Sequence, residues 1–154
     1  MMMNAAILKL RHYCAYQERC HTEVREKGRE LGLRGDELEN AIAHLVEENF
    51  LNEERYAIAF AGGKFRMQQW GRKKITMALK QRQVSVYCIK KALADIGEED
   101  YGKTLLALAG RKYRSLSAEK PPKRQYKTLQ FLLQRGFEYD LARDAIEEIA
   151  KMEA

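Results

Sequence analysis

The sequence predicts an all-α chain, an elongated tandem array of three three-helix repeats that are helix-turn-helix-like. Three observations lead there. Proline is nearly absent, and both prolines stand together at Pro121-Pro122. Apolar residues recur at i, i+3, i+4, i+7 in three places: Leu38, Ala41, Ile42, Leu45; Ile89, Ala92, Leu93, Ile96; and Ala142, Ala145, Ile146, Ile149. Nine residues before the third member of each set stands another apolar residue, Leu33, Val84 or Phe137. The copies are offset by 51 and 53 residues.

The repeats span residues 4–51, 52–96 and 97–154. In the first copy the helices run over Ala5–Tyr16, Cys20–Leu31 and Asp36–Asn49. In the second they run over Glu53–Gln69, Arg72–Arg82 and Ser85–Ile96. In the third they run over Glu98–Ser115, Pro122–Arg135 and Glu138–Ala150. Gly32 and Gly136 suit helix C-termini, because glycine tolerates the left-handed cap. Gln83 holds the same place in the second copy and adopts that conformation less readily. Proline is well accommodated in a first helical turn, as at Pro122. The helix from Glu53 shows a stripe of Tyr56, Phe60, Gly63, Met67 and Trp70, at steps of four and three. Gly63 is expected to admit a close neighbouring helix. Trp70 is expected to close the core, in preference to stacking on a base. The next helix is expected to bury Ile75, Ala78 and Leu79.

Charge is uneven along the chain. The net charge is +6, yet residues 4–51 carry −2, residues 52–96 carry +7 and residues 97–154 carry +1. No Asp or Glu falls between Glu54 and Asp95, while that block holds ten Lys or Arg. Such a segment can hold phosphates without competition from its own carboxylates. Its candidate binding residues are Lys64, Arg66, Arg72, Lys73, Lys74, Lys80 and Arg82. Lys73 and Lys80 project away from the inner face, and backbone N–H groups at the helix start add to the positive field. A second cluster holds Arg111, Lys112, Arg114, Lys120, Lys123, Arg124 and Lys127, with Glu119 as its only acid, at a helix joint or on a mobile basic loop; its candidate binding residues are Arg111, Lys112, Arg114, Lys123 and Arg124.

Several function classes are excluded. No Gly-rich phosphate loop, GxSxG elbow or HExxH pair occurs. Cys14, Cys20 and His21 lack the paired spacing of a metal site. No catalytic residue, metal or cofactor is expected, and no enzymatic activity is expected. No apolar run approaches the ~20 residues of a membrane span. The start of the chain lacks the basic region of a secretory signal. Three unpaired cysteines fit a reduced, cytoplasmic protein. A monomer with no membrane partner is expected.

A helix-turn-helix DNA-binding module or transcription regulator is the alternative. Its recognition helix would place N-terminal residues on base edges. The helices starting Asp36-Glu37 and Glu138-Tyr139-Asp140 would bring acids against phosphates. Ser85-Val86-Tyr87 offers no bidentate base reader. Backbone-directed, sequence-tolerant binding fits better.

Four short motifs resemble the RecX family of recombinase regulators. Arg19-Cys20-His21-Thr22-Glu23-Val24-Arg25 is similar to the family's R-S-x-x-E-L-R. Asn52-Glu53-Glu54-Arg55-Tyr56-Ala57 is similar to its D-D/E-x-R-F/Y-A. Gly71, Lys74, Ile75 and Leu79 are similar to its G-x-x-R-I-x-x-E-L, with Ala78 in place of Glu. Arg135-Gly136-Phe137, followed by Ala145-Ile146, is similar to its third-copy pattern. Cys20 stands where a capping Ser is usual, Gly28 where Leu is usual, and Gln83 where Gly is usual. The resemblance implies a regulator that lies in the groove of a RecA–DNA filament. It implies inhibition of filament growth, ATP hydrolysis, strand exchange and co-protease action, with weak, sequence-tolerant contacts to single- and double-stranded DNA.

Overall fold

The computed structural model describes residues 2–153. Among them are nine α-helices and no strand. They are α1 Met2–Tyr16, α2 His21–Glu30, α3 Gly35–Glu47, α4 Glu53–Gln68, α5 Arg72–Gln81, α6 Val86–Ala94, α7 Glu98–Ser115, α8 Pro121–Gln134 and α9 Tyr139–Met152. The all-α tandem three-helix fold is therefore as expected. None of these helices is long and apolar enough to cross a membrane.

One capping device recurs at corresponding places. At the end of α2, Gly32 has φ +95°, and Leu33 N–H donates to Gly28 C=O five residues back at 3.0 Å. After α5, Gln83 has φ +59° and Val84 N–H donates to Leu79 C=O at 3.1 Å. After α8, Gly136 has φ +94° and Phe137 N–H donates to Leu132 C=O at 3.1 Å. The left-handed residue turns the chain, and the apolar residue after it drops into the core. Leu33, Val84 and Phe137 are buried accordingly. The periodic apolar residue seen before each third helix is thus a cap residue. Gln83 does adopt the left-handed conformation, without glycine's freedom.

The chain forms two compact units. The first comprises the chain up to Phe60 together with Leu79–Ala92. Its core joins Ala6, Ile7, Leu10 and Cys14 of α1 to Val24 of α2 and Leu38, Ala41, Ile42 and Leu45 of α3. A Cβ at Gly28 would lie 2.5 Å from Leu38 Cδ1, so the Leu38 methyl fills the place of the side chain Gly28 lacks. Cys20 caps α2, with its N–H donating to Glu23 Oε1 at 2.9 Å. Arg55 closes α3: its guanidinium meets the carbonyls of Asn49 and Phe50 and the Glu18 carboxylate at 2.5 Å.

The second unit comprises Ala61–Ala78 and the chain from Leu93 onward. Its core holds Phe65 and Ile75, Tyr101, Leu105, Leu108 and Tyr113 of α7, Leu132 of α8, and Ala142, Ile146 and Ile149 of α9. The rings of Phe65 and Phe137 flank Tyr101 at 5.7 and 5.3 Å. All three helices of the middle copy, α4, α5 and α6, run from one unit into the other.

The stripe expected on α4 needs correction. The buried residues are Tyr56, Ala57, Ala61, Gly62 and Phe65, while Met67 is 85% exposed. No atom lies within 4 Å of a Cβ built on Gly63, so no helix approaches there. Large residues at steps of four and three drew the stripe past the alanines, whose small size is what lets α4 sit deep. Trp70 lies beyond the helix end, where Gln69 at φ +57° has already turned the chain. Helical phase therefore does not carry to it. Ile75, Ala78 and Leu79 are buried as expected.

Candidate nucleic-acid interface

The candidate groove lies in the second unit and begins where α5 begins. Gly71 N–H donates to Arg135 C=O at 2.7 Å, and Lys73 N–H to Gly136 C=O at 2.9 Å. Arg72 N–H donates to Tyr101 Oη at 2.9 Å. A Cβ on Gly71 would stand 2.4 Å from the Gly136 carbonyl carbon, so two backbones meet with no room for a side chain. The free helix start expected here is not free: these three N–H groups are capped by protein and do not add to an anion site.

Arg72 pins this joint. Its guanidinium donates to Glu138 at 2.9 Å and Glu98 at 3.0 Å, and lies 3.8 Å from the Tyr101 ring centre. Tyr101 Oη donates to the other Glu138 oxygen. Burial alone would raise the Glu138 pKa, but the hydrogen bonds from Tyr101 and Arg72 outweigh it and hold it below the ordinary range. Burial pushes the Tyr101 hydroxyl well up, so it stays a proton donor.

Outside the joint, cations collect around two rings. Lys64 Nζ lies 4.9 Å and Lys74 Nζ 4.6 Å from the Trp70 ring centre. Lys112 Nζ lies 5.1 Å and the Arg135 guanidinium 4.8 Å from the Phe131 ring centre. Two adjoining hollows share Gln69, Phe131 and Arg135. One is walled further by Met67, Trp70 and Lys74, the other by Arg111 and Lys112. Neither lining contains an Asp or Glu. Trp70 is half-buried, so it neither closes the core nor stands clear of the protein. A concave surface of ammonium and guanidinium groups around aromatic rings suits phosphates and base faces together.

The two basic clusters of the sequence are thus partly united. Lys64, Lys74, Arg111 and Lys112 line or overhang one groove. Lys73 and Arg66 are exposed beside it in sequence. Lys80 and Arg82 belong to the first unit, where the Arg82 guanidinium lies 4.8 Å from the Phe60 ring centre. Arg124 is turned inward: its Nε donates to Tyr113 C=O at 2.7 Å, and its side chain is 15% exposed. Arg114 and Arg124 both approach Glu153, at 3.8 and 3.7 Å, and Lys123 lies 3.8 Å from Glu119. Only Leu116–Lys120 separates α7 from α8, so the second cluster sits at a short joint and not on a long loop. Arg135, a residue of the third-copy motif, is not among the expected binding residues because no other cation is near it in sequence; the cap at Gly136 brings it beside Gln69. Its Nη1 donates to Gln68 C=O at 2.9 Å.

Two family models match the chain. One, described as the second three-helix domain of RecX, matches residues 52–93. The other, the third three-helix domain of RecX, matches residues 98–146. The chain belongs to the RecX family. It is 34% identical over 133 residues to the "Regulatory protein RecX" of Clostridium perfringens strain 13, covering 85% of this chain. The RecX of Clostridium botulinum strain Eklund 17B is also 34% identical over 133 residues. The chain spans 62% of the length of these curated RecX relatives. Among solved structures, RecX from Lactobacillus salivarius shares the fold at TM-score 0.89 and 23% identity, with 97% of each chain covered. A second RecX crystal structure matches at TM-score 0.85 and 20% identity, covering 96% of this chain and 72% of the other.

The motifs that resemble RecX prove to be joints. Asn52 Oδ1 accepts the Arg55 N–H at 2.9 Å, and Glu53 Oε1 accepts the Ser85 N–H at 2.9 Å. Arg55 closes α3, and Gly71 meets Gly136. Of the motif residues only Lys74 and Arg135 also face the groove.

Proposed function

We propose that this RecX-family chain is a regulatory protein that binds the RecA–DNA filament and inhibits its recombinase, ATPase and co-protease activities. Its contacts with single- and double-stranded DNA are weak and sequence-tolerant. It acts by binding, as a cytoplasmic monomer without cofactor, and its repeats are 4–51, 52–96 and 97–154. Family membership supports the regulatory role, since the relatives are named as regulatory proteins. The acid-free groove around Trp70 and Phe131 carries the DNA part of the reading. Cations there sit on a concave surface with no carboxylate to repel a phosphate, which favours contact with the nucleic-acid backbone.

The test is a RecA ATPase assay on single-stranded DNA with the full chain added. Inhibition is expected at amounts well below those of RecA, because one bound molecule affects many protomers of a filament. Lys74→Ala with Arg135→Ala should weaken it. Equal inhibition of an unrelated DNA-dependent ATPase, only at amounts that coat the DNA, would instead support a generic basic DNA-binding module. A single DNA sequence bound ~10³-fold above random DNA would favour a transcription regulator.

A further inference from the structure

The second unit carries another hollow of opposite character, between α7 and α9. Its walls are aliphatic: Leu105 and Leu106 of α7, and Leu141 and Ala145 of α9. Leu141 is 39% exposed, although its neighbours Ala142, Ala145 and Ile146 are buried. Gly102 also lines it, and no atom lies within 4 Å of a Cβ built there, so its backbone borders open space. The rim is acidic, with Glu98, Glu99, Asp144 and Glu148 against one cation, Lys103. Glu98 is paired with Arg72 at 3.0 Å, Lys103 with Glu99 at 3.1 Å and Asp144 with Arg143 at 3.5 Å. Glu148 has no ion-pair partner among the described residues.

We propose that this groove docks a short basic amphipathic helix of a partner protein. Shape and charge point the same way. The α7 wall from Glu98 to Leu106 runs about 12 Å, two helical turns at ~1.5 Å per residue. That length accepts two apolar side chains at i and i+3 or i+4, the spacing at which a helix presents anchors to a groove. Lysine or arginine beside those anchors would meet Glu99, Asp144 and Glu148. A chain of net charge +6 repels cationic segments as a whole, so an excess of acid beside exposed leucine is a local exception. The acids do not converge as a metal site requires: no group of three His, Cys, Asp or Glu among the described residues could hold an ion. This surface stands independently of the DNA groove and of the proposed effect on RecA.

A fluorescein-labelled twelve-residue helical peptide of leucine and lysine, with leucines at i, i+3, i+4 and i+7, serves as the probe. Its scrambled isomer has equal charge and no apolar face. Fluorescence anisotropy with the full chain should show the amphipathic peptide binding at least ~10-fold more tightly than the isomer. Leu141→Lys and Glu148→Lys, both at exposed positions, should each weaken it ~10-fold with helix content unchanged by circular dichroism. Lys74→Ala should leave it unaltered. Equal binding of the scrambled peptide, no response to Leu141→Lys, or no binding at about 1 mM would overturn the proposal.

Discussion

Arg72 and Glu138 stand 66 residues apart in sequence and 2.9 Å apart in the fold. Their ion pair, closed by Tyr101 and Glu98, fastens the start of α5 to the starts of α7 and α9. An arginine counted among the DNA-binding candidates is therefore a fastening of the second unit. Arg72→Ala should cost about 2 kcal/mol in urea unfolding, below the ~3–5 kcal/mol of a fully buried pair because both side chains keep some solvent. Arg72→Lys should recover only part of it, since an ammonium cannot reach both carboxylates with a planar fork.

The same pair makes stability depend on acid. The Glu138 carboxyl binds its proton less readily when folded than its ordinary value of 4.5 implies. Its contribution is therefore full above that value and is lost as pH falls through the lower folded value. Melting temperature should drop as pH falls below the ordinary value of 4.5. Glu138→Gln should be less stable at neutral pH and show a shallower drop.

The caps give opposite expectations at corresponding positions. Gln83→Gly should stabilise the chain by about 0.5–1 kcal/mol, because the left-handed turn costs glycine least. Gly136→Ala should destabilise it by at least ~2 kcal/mol, since its Cβ would fall 2.4 Å from Lys74 Cβ. Urea midpoints at unchanged slope would check both.

Salt dependence separates groove residues from residues that merely share their sequence clusters. Lys74→Ala and Arg135→Ala should each weaken DNA binding across all sequences and lower the salt slope by about one. Arg124→Ala should reduce stability and leave the salt slope nearly unchanged. Trp70 is the only tryptophan, so its fluorescence should respond when a polyanion draws Lys64 and Lys74 from its ring.

The three thiols should be inert in the native chain. Burial pushes the Cys14 thiol up to about 11, and the Cys20 and Cys88 thiols upward as well. A colorimetric thiol reagent near pH 8 should label none of them promptly, and all three in denaturant.

Much of the fold was legible because its signals are local. Helix periodicity, Gly32, Gly136 and the proline pair each act within a few residues, and every helix falls close to its expected bounds. The acid-free block was legible for the same reason. What escaped depends on distant partners. Nothing near Arg72 announces Glu98 or Glu138, and nothing near Arg135 announces Gln69. Ala57 and Ala61 carry α4 inward by being small, a property that a count of large apolar residues passes over.

The sharing of α4, α5 and α6 between units bears on how the chain is made. The first unit cannot close when Phe60 leaves the ribosome, because Leu79–Ala92 is still missing from it. At ~5–20 residues per second the wait is roughly 2–6 s. The stretch from Ala61 to Ala78 waits longer, until the tail that holds Arg72 and Phe65 has emerged. Nascent chains arrested before Ala92 should therefore expose apolar surface and recruit chaperones, and a chain stopped at Gly97 leaves Ala61–Ala78 without α7, α8 and α9, the rest of its unit.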